Sequence, residues 1–208
     1  MIVAGIDEAG RGAIIGPLVI ACVSIEKSKE NELKEIGVKD SKQLTRERRE
    51  EIYKEIEKIA KDIIVVRVQP CKIDNYRENG INLDRLEAMK ITQILDVVDA
   101  DEVYIDSLEQ NSENFENLIK EFLINNNSKL IVKNYLDESV LVVGAASIVA
   151  KVERDKAVDE IKREINFDFG SGYPGDERTI AYIKSILEKK EKLPNFVRKS
   201  WLTIDILK

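Results

Sequence analysis

The chain of 208 residues contains no histidine. That absence excludes Ser-His-Asp and Cys-His catalysis in their usual forms, and it excludes imidazole-bound zinc or iron. Cysteine is nearly absent too. Cys22 sits in an apolar run and reads as a small buried hydrophobe, and Cys71 shares no metal-ligand spacing with it. Any metal must therefore be held by oxygen, which favours Mg²⁺ or Mn²⁺. Long apolar runs are missing as well. The longest weakly polar stretch, Val140 to Ala150, is too short to span a bilayer and contains Gly144 and Ser147. The N-terminus enters a strand pattern with no charged-then-apolar segment before it, so a cytoplasmic protein is expected.

What is abundant is charge. Asp, Glu, Lys and Arg make up 35% of the chain, and hydrophobic residues at 43% are enough for a packed core. The Lys and Glu bias, with four Gln, resembles that of heat-adapted proteins. The net charge is −6, but it is unevenly spread. Residues 151–208 carry 13 basic and 11 acidic groups, which leaves 20 and 28 for residues 1–150. An acidic chain of this kind can still bind a polyanion along a local basic edge, with cations neutralising its acidic part. Lys184, Lys189, Lys190, Lys192, Arg198 and Lys199 form such a run, read either as a track for a duplex backbone or as a solvated helix face.

Periodicity gives the order of elements. Ile2–Asp7 and Pro17–Ile25 read as strands joined through a Gly16-Pro17 turn, which suggests an antiparallel pair. Thr45 caps a helix running to Ile63, with Ile52, Ile56, Ile59 and Ile63 on one face. A third strand covers 63–68, a helix 82–98, a strand 103–106, a helix 112–123 and a strand 129–133. A long helix comes next over 144–165, opening with small residues that allow close packing on a sheet. After the glycine-rich segment 167–176 come a helix over 177–190 and an amphipathic stretch, 196–206. This is an α/β chain: a mixed sheet with helices on its faces and a helical C-terminal satellite.

Two strands end in acid, at Asp7 and Asp106. In open sheets, ligand chemistry gathers at one end of the strands. Asp7 is followed by Glu8, and successive strand residues face opposite ways, so Glu8 is expected where the strand has begun to turn. Gly10 supplies the freedom for that turn, and Gly10-Arg11-Gly12 lets backbone amides approach a phosphate or sugar. Asp137 lies just before the long helix. Four such carboxylates repel one another unless cations sit between them. Two ions roughly 3.5–4 Å apart suit in-line attack on a phosphodiester.

These residues carry a family resemblance. Gly5-Ile6-Asp7-Glu8-Ala9-Gly10-Arg11-Gly12, then Asp40-Ser41-Lys42, Tyr104-Ile105-Asp106-Ser107, Asp137 ten residues before Ser147, Ser171-Gly172-Tyr173-Pro174, and finally Arg198-Lys199-Ser200-Trp201 are all present in order. The chain resembles the type 2 ribonucleases H, the ribonuclease HII family, and most closely their archaeal members. Departures are Ala13 where the family often has proline, Gly144 for a usual serine, and Asn134-Tyr135-Leu136 for a basic-and-small run.

The resemblance implies a ribonuclease H-like fold with a five-stranded mixed sheet. It also implies a catalytic domain over 1–170 and a substrate-contacting helical extension over 171–208. The implied activity is endonucleolytic cleavage of RNA in RNA–DNA hybrids, including cutting 5′ of a single ribonucleotide in duplex DNA to leave 3′-hydroxyl and 5′-phosphate ends. Asp7, Glu8, Asp106 and Asp137 are implied as catalytic ligands for two Mg²⁺ or Mn²⁺ ions. Gly10, Arg11 and Gly12 are implied readers of the 2′-hydroxyl, the group that distinguishes RNA from DNA. Tyr173 is implied to stack on a sugar at the junction, and Lys42 to contact phosphate. Trp201 reads as a core plug for the tail. A monomer is expected, and a sliding clamp is a candidate partner. Two other classes share parts of this pattern: a non-catalytic hybrid-binding module, and an actin-like ATPase fragment, whose duplicated domain and second phosphate loop the chain lacks.

Overall fold

The computed structural model describes residues 1–38, 44–107, 112–124 and 126–207. Its five strands are β1 (Ile2–Ala9), β2 (Leu18–Glu26), β3 (Asp62–Val68), β4 (Glu102–Asp106) and β5 (Lys129–Lys133). They form one mixed sheet in the order β3-β2-β1-β4-β5. The α-helices among the described residues are α1 (Glu30–Glu35), α2 (Arg46–Ile59), α3 (Pro70–Glu78), α4 (Leu83–Leu95), α5 (Ser112–Phe122), α6 (Leu136–Ser139), α7 (Leu141–Ile165), α8 (Glu177–Glu188) and α9 (Leu202–Leu207). By packing, the chain divides into two compact units. The first holds Met1–Ala9, Ile20–Val66 and Asp84–Val152, and the second holds Gly10–Val19, Arg67–Leu83 and Glu153–Lys208.

In the first unit, β1 and β4 are parallel neighbours with Val3 opposite Glu102 and Ile6 opposite Ile105. β4 and β5 are parallel as well, from Glu102–Lys129 to Asp106–Lys133. Strands buried on both faces read as continuous apolar runs. β2 has that pattern, every residue from Leu18 to Ile25 being buried. The Thr45 hydroxyl caps α2, accepting from Arg48 N at 3.3 Å. That helix buries Ile52, Ile56 and Ile59 as the periodicity predicts, while Ile63, which the sequence offers to both the helix and the third strand, belongs to β3. The reason is local. Ala60 turns extended, Lys61 N donates to Ser24 O at 2.8 Å, and Asp62 N donates to the Ser24 hydroxyl at 3.1 Å, so the chain is pulled into strand pairing.

The first turns of α7 cross β1 at backbone contact. A Cβ on Gly5 would overlap the Val142 carbonyl group and Val143 N, main-chain atoms that cannot swing aside. Gly144 is less tightly held, since its Cβ would lie 3.0 Å from Val38 Cγ1 and 3.1 Å from Asp137 O. The small residues that open α7 thus serve the close packing read from the sequence, and the helix begins three residues earlier than expected, at Leu141.

The second unit has its own core of Ile14, Ile15, Val158, Phe169, Ile183, Val197 and Ile204. Phe169 lies between Tyr182 at 5.7 Å and Phe196 at 6.4 Å, centroid to centroid. The expected amphipathic stretch over 196–206 is helical only from Leu202. Its first residues are used otherwise: Val197 bridges Ile15, and Arg198 N donates to Ile14 O at 2.8 Å. The Asp74 carboxylate anchors Lys199 and Ser200, accepting from Lys199 N at 2.9 Å, Ser200 N at 3.0 Å and the Ser200 hydroxyl at 2.7 Å. Three short helices escape the sequence reading, α1, α3 and α6. α3 starts on Pro70, whose fixed φ and missing N–H suit a first helical position.

Replacing Gly5 by alanine should be costly, because the overlap falls on backbone. We expect Gly5→Ala to lower stability by at least ~2 kcal/mol, the scale of core overpacking. Urea unfolding should show it as a reduced midpoint with an unchanged slope.

Candidate functional site

In the first unit, strand order brings two acids together. One step beyond the Ile6–Ile105 pair, Asp7 on β1 and Asp106 at the end of β4 occupy the same end of adjacent parallel strands. The third acid arrives through α6. Tyr135 adopts a left-handed conformation, φ 60° and ψ 32°, which is uncommon for a bulky side chain. It turns the chain so that Leu136 N donates to Asp106 Oδ1 at 2.7 Å, and Asp137 follows at once. Asp7, Asp106 and Asp137 are all buried, at 7%, 7% and 6% exposure.

Glu8 differs from the expectation. β1 continues through Ala9, so Glu8 is a half-buried strand residue and the turn begins only at Gly10, φ 84°. Glu8 N donates to Asp7 Oδ1 at 2.8 Å. Among the described residues, no three acids form a closed metal-ligating group. Asp7 and Asp106 each commit an oxygen to a main-chain N–H.

Burial pushes the Asp7 carboxyl up to about 6, with the charge of Asp137 adding to it. Hydrogen bonds from Ser147 and Glu8 N and the charge of Lys151 work the other way. Lys151 Nζ also donates to the Ser147 hydroxyl at 2.8 Å. α7 therefore presents a Lys–Ser pair, one turn apart, behind the first acid. The donor set suits a hard divalent ion: buried carboxylates of like charge, oxygen ligands only, and a carboxyl whose ionisation burial disfavours. Asp7 and Asp106, with Asp137 next to the amide that binds Asp106, are the buried carboxylates that supply such donors.

In the second unit, the chain turns from Gly10 through a half-buried Arg11 to an exposed Gly12. Gly10 packs without room for a side chain, as a Cβ there would lie 2.6 Å from Pro17 O and 2.7 Å from Arg154 Nε. Gly12 faces open space. The Tyr173 loop is bound into the same unit. Ile14 N and Ile15 N both donate to Gly172 O, at 2.7 and 3.0 Å, and Gly172 N donates to the Thr179 hydroxyl at 3.0 Å. The Arg154 guanidinium lies 4.4 Å from the Tyr173 ring centroid and donates to Ser171 O at 2.8 Å. Lys42 lies outside the described residues.

Three residues of these networks were given no role by the sequence reading: Ser147, Lys151 and Arg154. They share a signal, a spacing of four and then three residues along α7 that places them on one stripe. Arg198 corrects an expectation. It was grouped with bases read either as a duplex track or as a solvated helix face, yet it is 0% exposed and serves as neither. Trp201 packs against the second unit's core, as its reading as a plug implies.

A family model described as Ribonuclease HII matches residues 4–204. Ribonuclease HII of Methanococcus maripaludis strain C7 is 41% identical over 206 residues, covering 97% of this chain and 85% of that protein. The crystal structure of ribonuclease H2 from Pyrococcus horikoshii OT3 superposes with a TM-score of 0.90 at 37% identity, covering 100% of this chain and 97% of that one. The structure of the PCNA:RNase HII complex from Archaeoglobus fulgidus gives a TM-score of 0.88 at 35% identity, covering 97% and 95%.

The buried Asp7 predicts a pH-dependent stability. Its folded pKa, about 6, lies above the ordinary 3.8, so ionisation opposes folding. The unfavourable contribution is absent below the ordinary value, grows as pH rises, and is complete above the folded one. In metal-free solution at pH 8, Asp7→Asn should therefore be more stable than the wild type by ~1–3 kcal/mol. At pH 4 the two should melt nearly together. Calorimetry in a chelator at both pH values checks this.

Proposed function

The chain belongs to the ribonuclease HII family, ribonucleases H that hydrolyse the RNA strand of RNA–DNA hybrids, and from that premise we propose the finer chemistry of its site. The protein cuts on the 5′ side of single ribonucleotides embedded in duplex DNA, as well as within longer hybrids, leaving 3′-hydroxyl and 5′-phosphate ends. The observation that carries this reading is the placing of buried Asp7 and Asp106 at the same end of neighbouring parallel strands, with buried Asp137 next to the residue whose amide binds Asp106. Family membership sets aside the actin-like ATPase alternative.

Asp7, Glu8, Asp106 and Asp137 would hold two Mg²⁺ or Mn²⁺ ions. Bound there, such ions activate water and stabilise the leaving oxygen of a phosphodiester. The chain's own part is positional. The neighbouring strands fix Asp7 against Asp106, the Leu136 amide aims the Asp106 carboxylate, and Ser147 with Lys151 orients Asp7. Two residues after Glu8 the sequence enters Gly10-Arg11-Gly12, whose backbone reads the 2′-hydroxyl, so recognition and cleavage are close along the chain. Tyr173 offers a flat ring to the sugar beyond the ribonucleotide without reading the base, and Lys42 contributes a phosphate contact. Lys and Arg contacts to phosphate give sequence-independent, salt-sensitive affinity.

On this reading residues 1–170 carry the chemistry and residues 171–208 add substrate contacts. The Archaeoglobus relative was solved with PCNA, which supports a sliding clamp as a partner here too. Among the described residues no helix is long and apolar enough to cross a membrane, and we assign the protein to the cytoplasm as a monomer.

The test is a duplex with one ribonucleotide, incubated with Mg²⁺, with Mn²⁺ or with chelator. Cleavage should require a divalent ion and fall at the 5′ side of the ribonucleotide. Asp7→Asn should lower the rate by more than ~100-fold, exceeding the loss typical of a ligand's outer partners. Cleavage in chelator, or full activity of Asp7→Asn, overturns the reading. Binding without cleavage in any metal favours a hybrid-binding module.

A further inference from the structure

Among the described residues Arg198 is the largest fully buried side chain, and it sits beneath the Gly10–Gly16 loop of its own unit. Its guanidinium is spent on main-chain carbonyls. Nη2 donates to Gly10 O at 2.6 Å, Nη1 to Arg11 O at 2.7 Å, and Nε and Nη2 to Gly16 O at 3.2 and 3.1 Å. The Trp201 ring covers it, with the guanidinium carbon 4.8 Å from the centroid. Among the described residues no carboxylate forms an ion pair with it. Burying a cation this way costs several kcal/mol, which converging carbonyl dipoles must offset. The planar fork reaches three separated carbonyls with three different nitrogens and four bonds, an arrangement that a single ammonium nitrogen does not reproduce.

The two short bonds matter because of what lies across each peptide. In a trans peptide the C=O and the following N–H point in opposite directions, and no cis bond occurs in the described chain. Gly10 O and Arg11 O point inward at Arg198. The amides across those peptides, Arg11 N–H and Gly12 N–H, therefore point away from it. A carbonyl that accepts a charge-assisted bond polarises its peptide group, and the N–H at the other end becomes a stronger donor. Successive outward amides of this sort form a concave donor pair for an electronegative oxygen.

We propose that Arg198 is a positioning residue for ribonucleotide recognition: from the C-terminal tail it fixes and polarises the Arg11 and Gly12 amides that meet the substrate. This rests on the reading of Gly10-Arg11-Gly12 as the 2′-hydroxyl site. It assigns the tail a role in specificity although its arginine never reaches the surface. Arg154 supports the same arrangement from α7. It packs against Gly10, lies 3.3 Å through Nη2 from where a Gly172 Cβ would be, and braces the Tyr173 ring.

The experiment compares binding of a DNA duplex carrying one ribonucleotide with binding of the same duplex made of DNA alone. Fluorescence anisotropy is used, with Ca²⁺ in place of Mg²⁺. The readout is the ratio of the two affinities, which general loss of folded protein does not move. Arg198→Gln should reduce that preference by ~10- to 100-fold, the worth of a charge-assisted hydrogen bond. Arg198→Lys, which keeps charge and stem, should restore only part of it. In the folded variants, amide proton resonances of Arg11 and Gly12 should move upfield. A folded Arg198→Gln whose preference stays within about twofold of the wild type overturns the proposal, being below the ~10-fold expected. If Arg198→Gln does not fold, Arg198→Lys decides, and full preference in that variant overturns the proposal as well. A wild type with no preference for the ribonucleotide overturns the 2′-hydroxyl reading itself, and the role of Arg198 with it.

Discussion

Three carboxylates buried at one end of neighbouring elements set the terms for the first unit. Asp7, Asp106 and Asp137 gain nothing from burial, and Asp7 is held in a place that resists its own ionisation. The surrounding structure supplies what such a group needs. Two parallel strands fix the spacing. A left-handed Tyr135 turns Leu136 N toward Asp106, and α7 lies close enough to β1 for Ser147 and Lys151 to address Asp7. That closeness is possible only because Gly5 has no side chain. Functional sites commonly store such unfavourable contributions, to be relieved when the ligand arrives.

The second unit meets the opposite problem, buried positive charge. Arg198 and Arg154 both have guanidiniums that burial makes harder to keep protonated, Arg198 being lowered to about 9 with Arg154 adding to the shift. Carbonyls and aromatic rings answer them here. One unit therefore gathers acid against its preference, and the other keeps cations beneath the two loops assigned to the substrate. For an acidic chain that binds a polyanion, net charge is a poor guide, and the local placement of buried charge explains more.

Much of this was legible in sequence. An apolar run ending in acid located both Asp7 and Asp106, because a buried strand must end where a charge can be tolerated. Small residues before Ser147 announced a helix pressed onto a sheet, and Thr45 marked its helix start. What was hidden depended on contacts between distant segments. Arg198 reads as one more tail base, since nothing near it in sequence shows that the carbonyls of residues 10, 11 and 16 await it. Ile63 fits both the helical period and the strand read from it, and the pull of Ser24 on Asp62 decides for the strand. Glu8 was expected past the strand end, and the ladder runs one residue beyond it. α6 is a single turn, too short for any periodicity to show, and Asp137 rides on it.

The central claim is that Asp7 sits in a buried acid group made to receive a divalent cation. The most direct measurement is calorimetric titration of the metal-free protein with Mg²⁺ or Mn²⁺, in buffers of different ionisation enthalpy, across the pH range in which Asp7 titrates. Near pH 6, where that carboxyl is about half protonated, metal binding should expel a fraction of a proton, and by pH 8 the release should vanish. Asp7→Asn should abolish the release and weaken binding. Metal binding with no proton release at either pH, or unchanged in Asp7→Asn, would contradict the account.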